Sequence, residues 1–246
     1  IFLRPRRQRG GVLLAARAQR VRGGASYNRL VTHGNPSFAV DAPAPLQPAR
    51  VLADLRAWGA ALGFSHIGVA DVDLRSAEDG LTRWLAAGFH GQMHYMAAHS
   101  LKRARPAELV PGTVRVITAR MDYLPRQTPG DWQRIEFDRL ARPGAGVVSI
   151  YARGRDYHKV LRSRLQRLAD RLAAAVGPFG HRVFSDSAPV LEVELATRSG
   201  QGWRGKHTLT LAREGGSMSF LGEIYVDLPL PVSAPATAHC GHCRAC

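Results

Sequence analysis

Apolar residues begin to recur at a helical interval at Ala49. Val51, Leu52, Leu55, Trp58 and Leu62 fall on one face, and Gly63 offers the left-handed residue that ends a helix. His66-Ile67-Gly68-Val69-Ala70 is short, apolar and β-prone, and predicts a strand. Ala77 to Ala87 predicts a second helix with Leu81, Trp84 and Leu85 inward. After the Pro111-Gly112 turn, Val114 to Ala119 predicts a strand. Residues 124–144 carry three Pro and mixed charges, which predicts a long loop; long loops are uncommon and often functional. Gly146 to Ala152 predicts a further strand. The strongest helix follows. Asp156 is placed to cap it, Val160, Leu161, Leu165, Leu168, Leu172 and Val176 form one stripe, and Gly177-Pro178 ends it. Its other faces hold Lys159, Arg162, Arg164, Arg167 and Arg171, which a solvated face accounts for. His181–Phe184 predicts a strand, Val190–Arg198 a helix, and Thr208–Leu211 and Met218–Leu228 two strands.

Strands and helices are thus mixed, with an antiparallel tendency near the end. The expected fold is α+β, a mixed α/β sandwich. The 246 residues are 45% apolar and 22% charged, ordinary for a globular protein. No run of 18 apolar residues occurs, so the sequence predicts no membrane span. The formal charge of +15 favours polyanionic partners, nucleic acid before membrane. It is unevenly spread: residues 1–48 hold eight Arg and one acid, Asp41. Such a segment suits a transit peptide, a nucleic-acid arm, or a disordered or non-native leader. It is set apart from the fold, which is expected over residues 49–236.

All three Cys lie in the last seven residues, as Cys240-Gly241-His242-Cys243-Arg244-Ala245-Cys246. Thiolates at two-residue spacing suit an iron–sulfur cluster better than zinc, which usually takes two C-x-x-C pairs or added His. Residues 237–246 therefore read as the incomplete start of a 4Fe-4S ferredoxin-type segment. Ser185-Asp186-Ser187-Ala188-Pro189 places an acid between a strand and a helix. That is a ligand position in α/β-type folds, and equally a simple helix cap. Gly200-Gln201-Gly202-Trp203-Arg204-Gly205-Lys206-His207 suits close backbone approach to a ligand but lacks Walker spacing. His158, in Arg153-Gly154-Arg155-Asp156-Tyr157-His158, is a base or a half-buried polar residue. His90 and His94 lack the carboxylate between them that H-E-x-x-H requires.

The order of these motifs is more specific than any one. Gly91-Gln92-Met93-His94-Tyr95-Met96, Arg103-Ala104-Arg105-Pro106, Gly154 to Lys159, Asp186 to Pro189, Gly202 to His207, Phe220-Leu221-Gly222-Glu223 and then C-x-x-C-x-x-C resemble the epoxyqueuosine reductase family. The likeness runs from about residue 48 to Cys246, and corresponds to the family's N-terminal portion. It implies reduction of epoxyqueuosine to queuosine at the wobble position of tRNA, the last step of queuosine biosynthesis. It implies a cobalamin-binding reductase domain leading into a truncated iron–sulfur segment, with two [4Fe-4S] clusters in the full-length family. Asp186 matches the family's proton donor and also lies at the cofactor. Arg103, Ser149, Lys206, Thr210 and Leu221 match cobalamin contacts, and Cys240, Cys243 and Cys246 match three ligands of one cluster. A carboxyl can serve as the acid where an apolar, partly dry pocket raises its pKa. The implied partners are tRNA bearing epoxyqueuosine in its anticodon and a low-potential electron donor. A cytoplasmic monomer without membrane attachment is expected. Two alternatives remain: a non-catalytic corrinoid- or RNA-binding fragment, and a related cobalamin-dependent reductive dehalogenase. Lacking the second Cys run, the chain as it stands is expected to be inactive.

Overall fold

The computed structural model describes residues 48–125 and 127–244. The Arg-rich leader, apart from Pro48, lies outside the described residues, as does Cys246. In chain order the elements are α1 (Pro48–Ala61), β1 (His66–Asp71), α2 (Glu78–Ala86), α3 (His94–Ala98), α4 (Pro106–Leu109), β2 (Arg115–Asp122), α5 (Trp132–Leu140), α6 (Tyr157–Val176), β3 (His181–Phe184), α7 (Glu192–Arg198), β4 (Trp203–Arg204), β5 (Thr210–Leu211) and β6 (Ser219–Val226). Short 3-10 turns lie at Arg75–Ala77, Ser100–Ala104 and Ile150–Ala152.

Four strands form one sheet in the order β1-β2-β6-β3, every pair antiparallel. β2 and β6 are central, and their registers align Thr118 with Glu223 and Ile117 with Ile224. Helices α1 and α6 pack on one face, α7 on the other. With both faces covered, the central strands read as near-continuous apolar runs rather than alternating ones. The first face buries Leu55, Ile117, Leu161, Leu165, Leu168 and Ile224; the second buries Ala70, Val116, Phe184, Leu195 and Tyr225. The mixed α/β architecture expected from the sequence is the one observed, and its main sheet is antiparallel throughout. β4 and β5 pair separately as a two-stranded ribbon.

Two glycines allow these layers to touch. A Cβ on Gly222 would meet Leu165 Cδ1 at 2.7 Å, so α6 lies directly on β6. A Cβ on Gly68 would meet the backbone oxygen of Ser199 at 2.1 Å, where the end of α7 crosses β1. Backbone cannot yield as a side-chain tip can. Gly68→Ala is therefore expected to cost about 1–3 kcal/mol by overpacking, read as a lower urea midpoint at unchanged slope.

Several predicted boundaries move. The loop expected over 124–144 contains α5, because Trp132–Leu140 holds neither Gly nor Pro and the three prolines flank it. Arg134 pairs there with Asp131 and Asp138, and Arg139 with Glu136. The strand expected over Gly146–Ala152 is irregular chain ending in a 3-10 turn. Its β-branched residues find no neighbouring strand, and propensity without a ladder does not make a sheet. α7 begins two residues later than expected. β5 shrinks to Thr210–Leu211, because Thr208 sits at φ +73. α3, α4 and β4 are too short to be read from periodicity.

The chain after β6 forms no helix or strand among its described residues, yet it is tied down. Ser233 exchanges hydrogen bonds with Val69 of β1, and Ala236 N–H donates to Thr197 of α7. No helix among the described residues is long and apolar enough to cross a membrane.

Candidate functional site

β3 ends at Phe184 on the buried second face, and the chain turns at once through Ser185 and Asp186. Asp186 adopts φ +50, the left-handed region that Asp and Asn tolerate through their short polar side chains. Its backbone N–H donates to Glu192 Oε1 at 2.7 Å. Its carboxylate Oδ2 accepts the Tyr157 hydroxyl and lies 3.2 Å from His158 Nε2. His158 Nδ1 is 3.1 Å from Asp156 Oδ1, and the same oxygen accepts the His158 backbone N–H at 3.0 Å. Asp156 thus caps α6, as the sequence predicts, and orients the imidazole as well. Tyr157 stacks on Phe220 at 4.1 Å and on His158 at 4.0 Å. Burial, then the bond to Asp186, pushes its phenol pKa up, so it remains a donor.

The cap reading of Asp186 does not hold. The residue at the N-cap of α7 is Leu191, whose geometry supplies no side-chain bond, and Asp186 lies five residues earlier. Its side chain is 52% exposed, at the junction of two cavities. One, of 680 Å³, is walled by Tyr95, Met96, Arg103, His158, Asp186 and Glu192 among others. The other, of 260 Å³, includes Tyr157, Asp186, Glu192, Thr210, Phe220 and Leu221.

The structure brings together four of the six non-cysteine residues that the resemblance matches to the cofactor site, Arg103, Asp186, Thr210 and Leu221. Arg103 is buried and donates to the carbonyls of Met96 and Tyr95 at 3.0 and 2.9 Å, so its side chain is pre-oriented. Burial pulls its pKa down from the usual value. Thr210 is buried with no partner for its hydroxyl, and Leu221 lies half-buried beside it. Ser149 is exposed and lines neither cavity. Lys206 is also outside them: its Nζ donates to the carbonyls of Gly241 and Cys243 at 3.0 and 2.7 Å. It holds the cysteine turn in place. In that turn Cys243 N–H donates to the Cys240 carbonyl at 2.8 Å, and both thiols are free. Among the described residues no three His, Cys, Asp or Glu gather as a metal site.

The glycine-rich segment has a structural use beyond the close approach expected of it. Gln201, 1% exposed, donates its amide N–H to the Thr118 carbonyl at 2.9 Å, and its Oε1 accepts from His66 Nδ1 at 3.1 Å. Burial, then Arg120, lowers the His66 pKa. Sequence reasoning also missed Tyr157, Glu192 and Glu223. Glu223 left a signal: it is the one charge inside the apolar run Phe220–Val226. Glu192 left none, since an acid in a helix's first turn is commonplace.

This is a mixed α/β domain whose acidic turn, backed by an imidazole and a phenol, faces a divided cleft. Residues 103–187 match the profile of the family described as Epoxyqueuosine reductase QueG, DUF1730. An epoxyqueuosine reductase of Alicycliphilus denitrificans is 73% identical over 192 residues, 78% of this chain and 53% of that one. A crystal structure of an epoxyqueuosine reductase with a tRNA-Tyr epoxyqueuosine-modified stem loop aligns at TM-score 0.64 and 22% identity, over 79% of this chain and 50% of that one. The Bacillus subtilis epoxyqueuosine reductase, whose structure has an aspartate-bearing catalytic loop swung out of the active site, aligns at TM-score 0.66 and 23% identity, over 79% and 50%. The chain belongs to the epoxyqueuosine reductase family. It spans about half the length of the curated relatives it matches.

Proposed function

We propose that residues 49–236 are the catalytic domain of an enzyme that reduces epoxyqueuosine in a tRNA anticodon to queuosine, with Asp186 as the proton donor. The observation that carries this is the Asp186 carboxyl, gripped by Tyr157 and His158, at the meeting of two cavities. Opening an epoxide to an alkene consumes two electrons and two protons and releases one water. Cobalamin, when bound, supplies the organometallic chemistry, and a [4Fe-4S] cluster supplies single electrons from a low-potential donor. The chain's own residues supply the proton. Tyr157 and His158 hold Asp186 in one orientation, and its exposed edge meets the substrate oxygen.

The cleft suits a corrinoid in two respects. Arg103 is buried with its guanidinium already anchored, and Thr210 offers a buried hydroxyl with no protein partner. A flat macrocycle edged with amides satisfies such a group. Arg103, Asp186, Thr210 and Leu221 would hold it; Ser149 and Lys206 are carried on resemblance alone. Cys240, Cys243 and Cys246 would supply three ligands of one cluster at the start of a segment over 237–246. The stem loop bound by the structural neighbour and the charge of +8 left after residues 1–48 both support tRNA as the partner.

Cobalamin binding to this chain tests the reading. After mixing and desalting, the protein should keep the cofactor's visible absorbance, and Arg103→Ala should weaken retention by roughly tenfold or more, as for loss of a buried charged donor. A chain that stays colourless while folded by circular dichroism would overturn it.

A further inference from the structure

Behind Asp186 lie two more carboxyls that the reaction above leaves unused. Glu223 sits in the middle of β6, opposite Phe184 of β3 and Thr118 of β2. It is 1% exposed, and its Oε2 is buried without a partner. Tyr225, two residues on and so on the same sheet face, has a buried hydroxyl that is also unpartnered. So has Ser185, the residue that leads from β3 into the Asp186 turn. Glu192, half-buried in the first turn of α7, holds the Asp186 backbone N–H and lines both cavities. A row of acids therefore runs from the sheet interior to the cleft.

Among the described residues nothing cationic balances the inner two. The groups acting on Glu192 are Asp186, and on Glu223 they are Glu192 and Asp186; no Lys or Arg is among them. Around them stand Tyr157 and His158 of α6, Tyr225 of β6, and Arg103, whose Nε and Nη2 donate to two backbone carbonyls. Arg204 of β4 is paired with Glu194 at 3.0 Å. An ionised carboxylate buried without a partner is costly, and such a group keeps its proton instead. Burial, then the neighbouring acids, raises Glu223 well above the carboxylate range, and burial raises Glu192 to about 7.

We propose that Glu192 and Glu223 are a proton store for Asp186, refilling it after it has donated. In the step, the O–H bond of the Glu192 carboxylic acid breaks and one forms on the Asp186 carboxylate. Glu192 is left as the carboxylate and no electrons move. Glu192 then regains a proton from Glu223 or from water in the 680 Å³ cavity. The need for it rests on the proposed function: each reduction takes two protons, and Asp186 holds one. Neither glutamate touches the reacting atoms, so both are positioning and supply residues.

The test is infrared titration of this chain, following the carbonyl stretch of protonated carboxyls, with ¹³C-glutamate labelling to separate Glu from Asp. Two labelled bands should persist at about pH 6, where ordinary glutamates are ionised. One should vanish near pH 7 and be absent in Glu192→Gln; the other should survive after the first has gone and be absent in Glu223→Gln. Gln matches the shape of the neutral acid, so both variants should fold, and the labelled bands of the unsubstituted chain need no variant at all. Loss of both bands by about pH 5 overturns the proposal. Stability gives a second readout. A raised pKa in the fold contributes stability that is present below the ordinary value of 4.5 and is lost as pH rises through about 7. The melting temperature should fall over that window, and Glu192→Gln should flatten it. A fusion in which this domain replaces the matching half of the Alicycliphilus relative supplies the kinetic arm. There Glu192→Gln should leave the first proton transfer intact and slow repeated turnover by roughly tenfold or more. Unchanged repeated turnover overturns the store. An inactive unsubstituted fusion overturns instead the functional reading, and with it the store's catalytic use, while the two bands stand by themselves.

Discussion

Asp186→Asn should lower the single-turnover rate of epoxyqueuosine reduction by about 10²–10⁴-fold, the range general acid catalysis contributes. Asn is the substitution that isolates the proton. It tolerates φ +50 as Asp does, still accepts the Tyr157 hydroxyl, and leaves the backbone bond to Glu192 in place. It cannot deliver an acidic proton. Cobalamin retention and melting temperature should therefore change little. Asp186→Ala should act differently, because Ala fits the left-handed turn poorly, at about 1–2 kcal/mol, and releases both His158 and Tyr157. The assay is reduction of an epoxyqueuosine-bearing anticodon stem loop by the fusion with the Alicycliphilus relative. A near-normal rate in Asp186→Asn would remove Asp186 from catalysis and leave His158, 3.2 Å away, as the next acid.

Leu165→Ala should destabilise this chain by about 2–5 kcal/mol in urea unfolding, the cost of a core cavity that the surroundings cannot fill. Leu165 is fully buried and rests on Gly222, so truncating it opens a gap between α6 and β6 where no side chain stands opposite. The loss should carry to the site, since the same helix presents Tyr157 and His158 at its other end. Arg167→Ala, two residues along on the exposed side, is the control, and should stay within about 0.5 kcal/mol. A small effect from Leu165→Ala would mean that α6 is not seated on β6.

The long helix was legible because twenty residues repeat one period and carry both signals of their ends. Asp156 caps the start and Gly177 sits at φ +89 at the stop. Legibility failed where the signal was short or depended on a partner. Gly146–Ala152 has the residues of a strand, yet nothing lies beside it to pair. Arg164 shows the same limit on a helix face. Read as solvated, it turns over the end of β2, its guanidinium 3.0 Å from Met121 Sδ.

Spacing and motif order along the chain were enough for the period of each main element, the mixed class of the fold, the cysteine run and the placing of Asp186 as the acid at a strand's end. Those are local properties: spacing, capping and the order of motifs along the chain. What surrounds that acid came from contacts between segments far apart in the chain. Phe184 and Glu223 are 39 positions apart in sequence and opposite each other in the sheet, and Glu192 reaches Asp186 because α7 folds back across the second face. Dryness and the absence of a counter-charge are properties of a neighbourhood, and they settle which carboxyls keep a proton. Packing alone put two carboxyls with raised pKa values, Glu192 and Glu223, one layer behind Asp186.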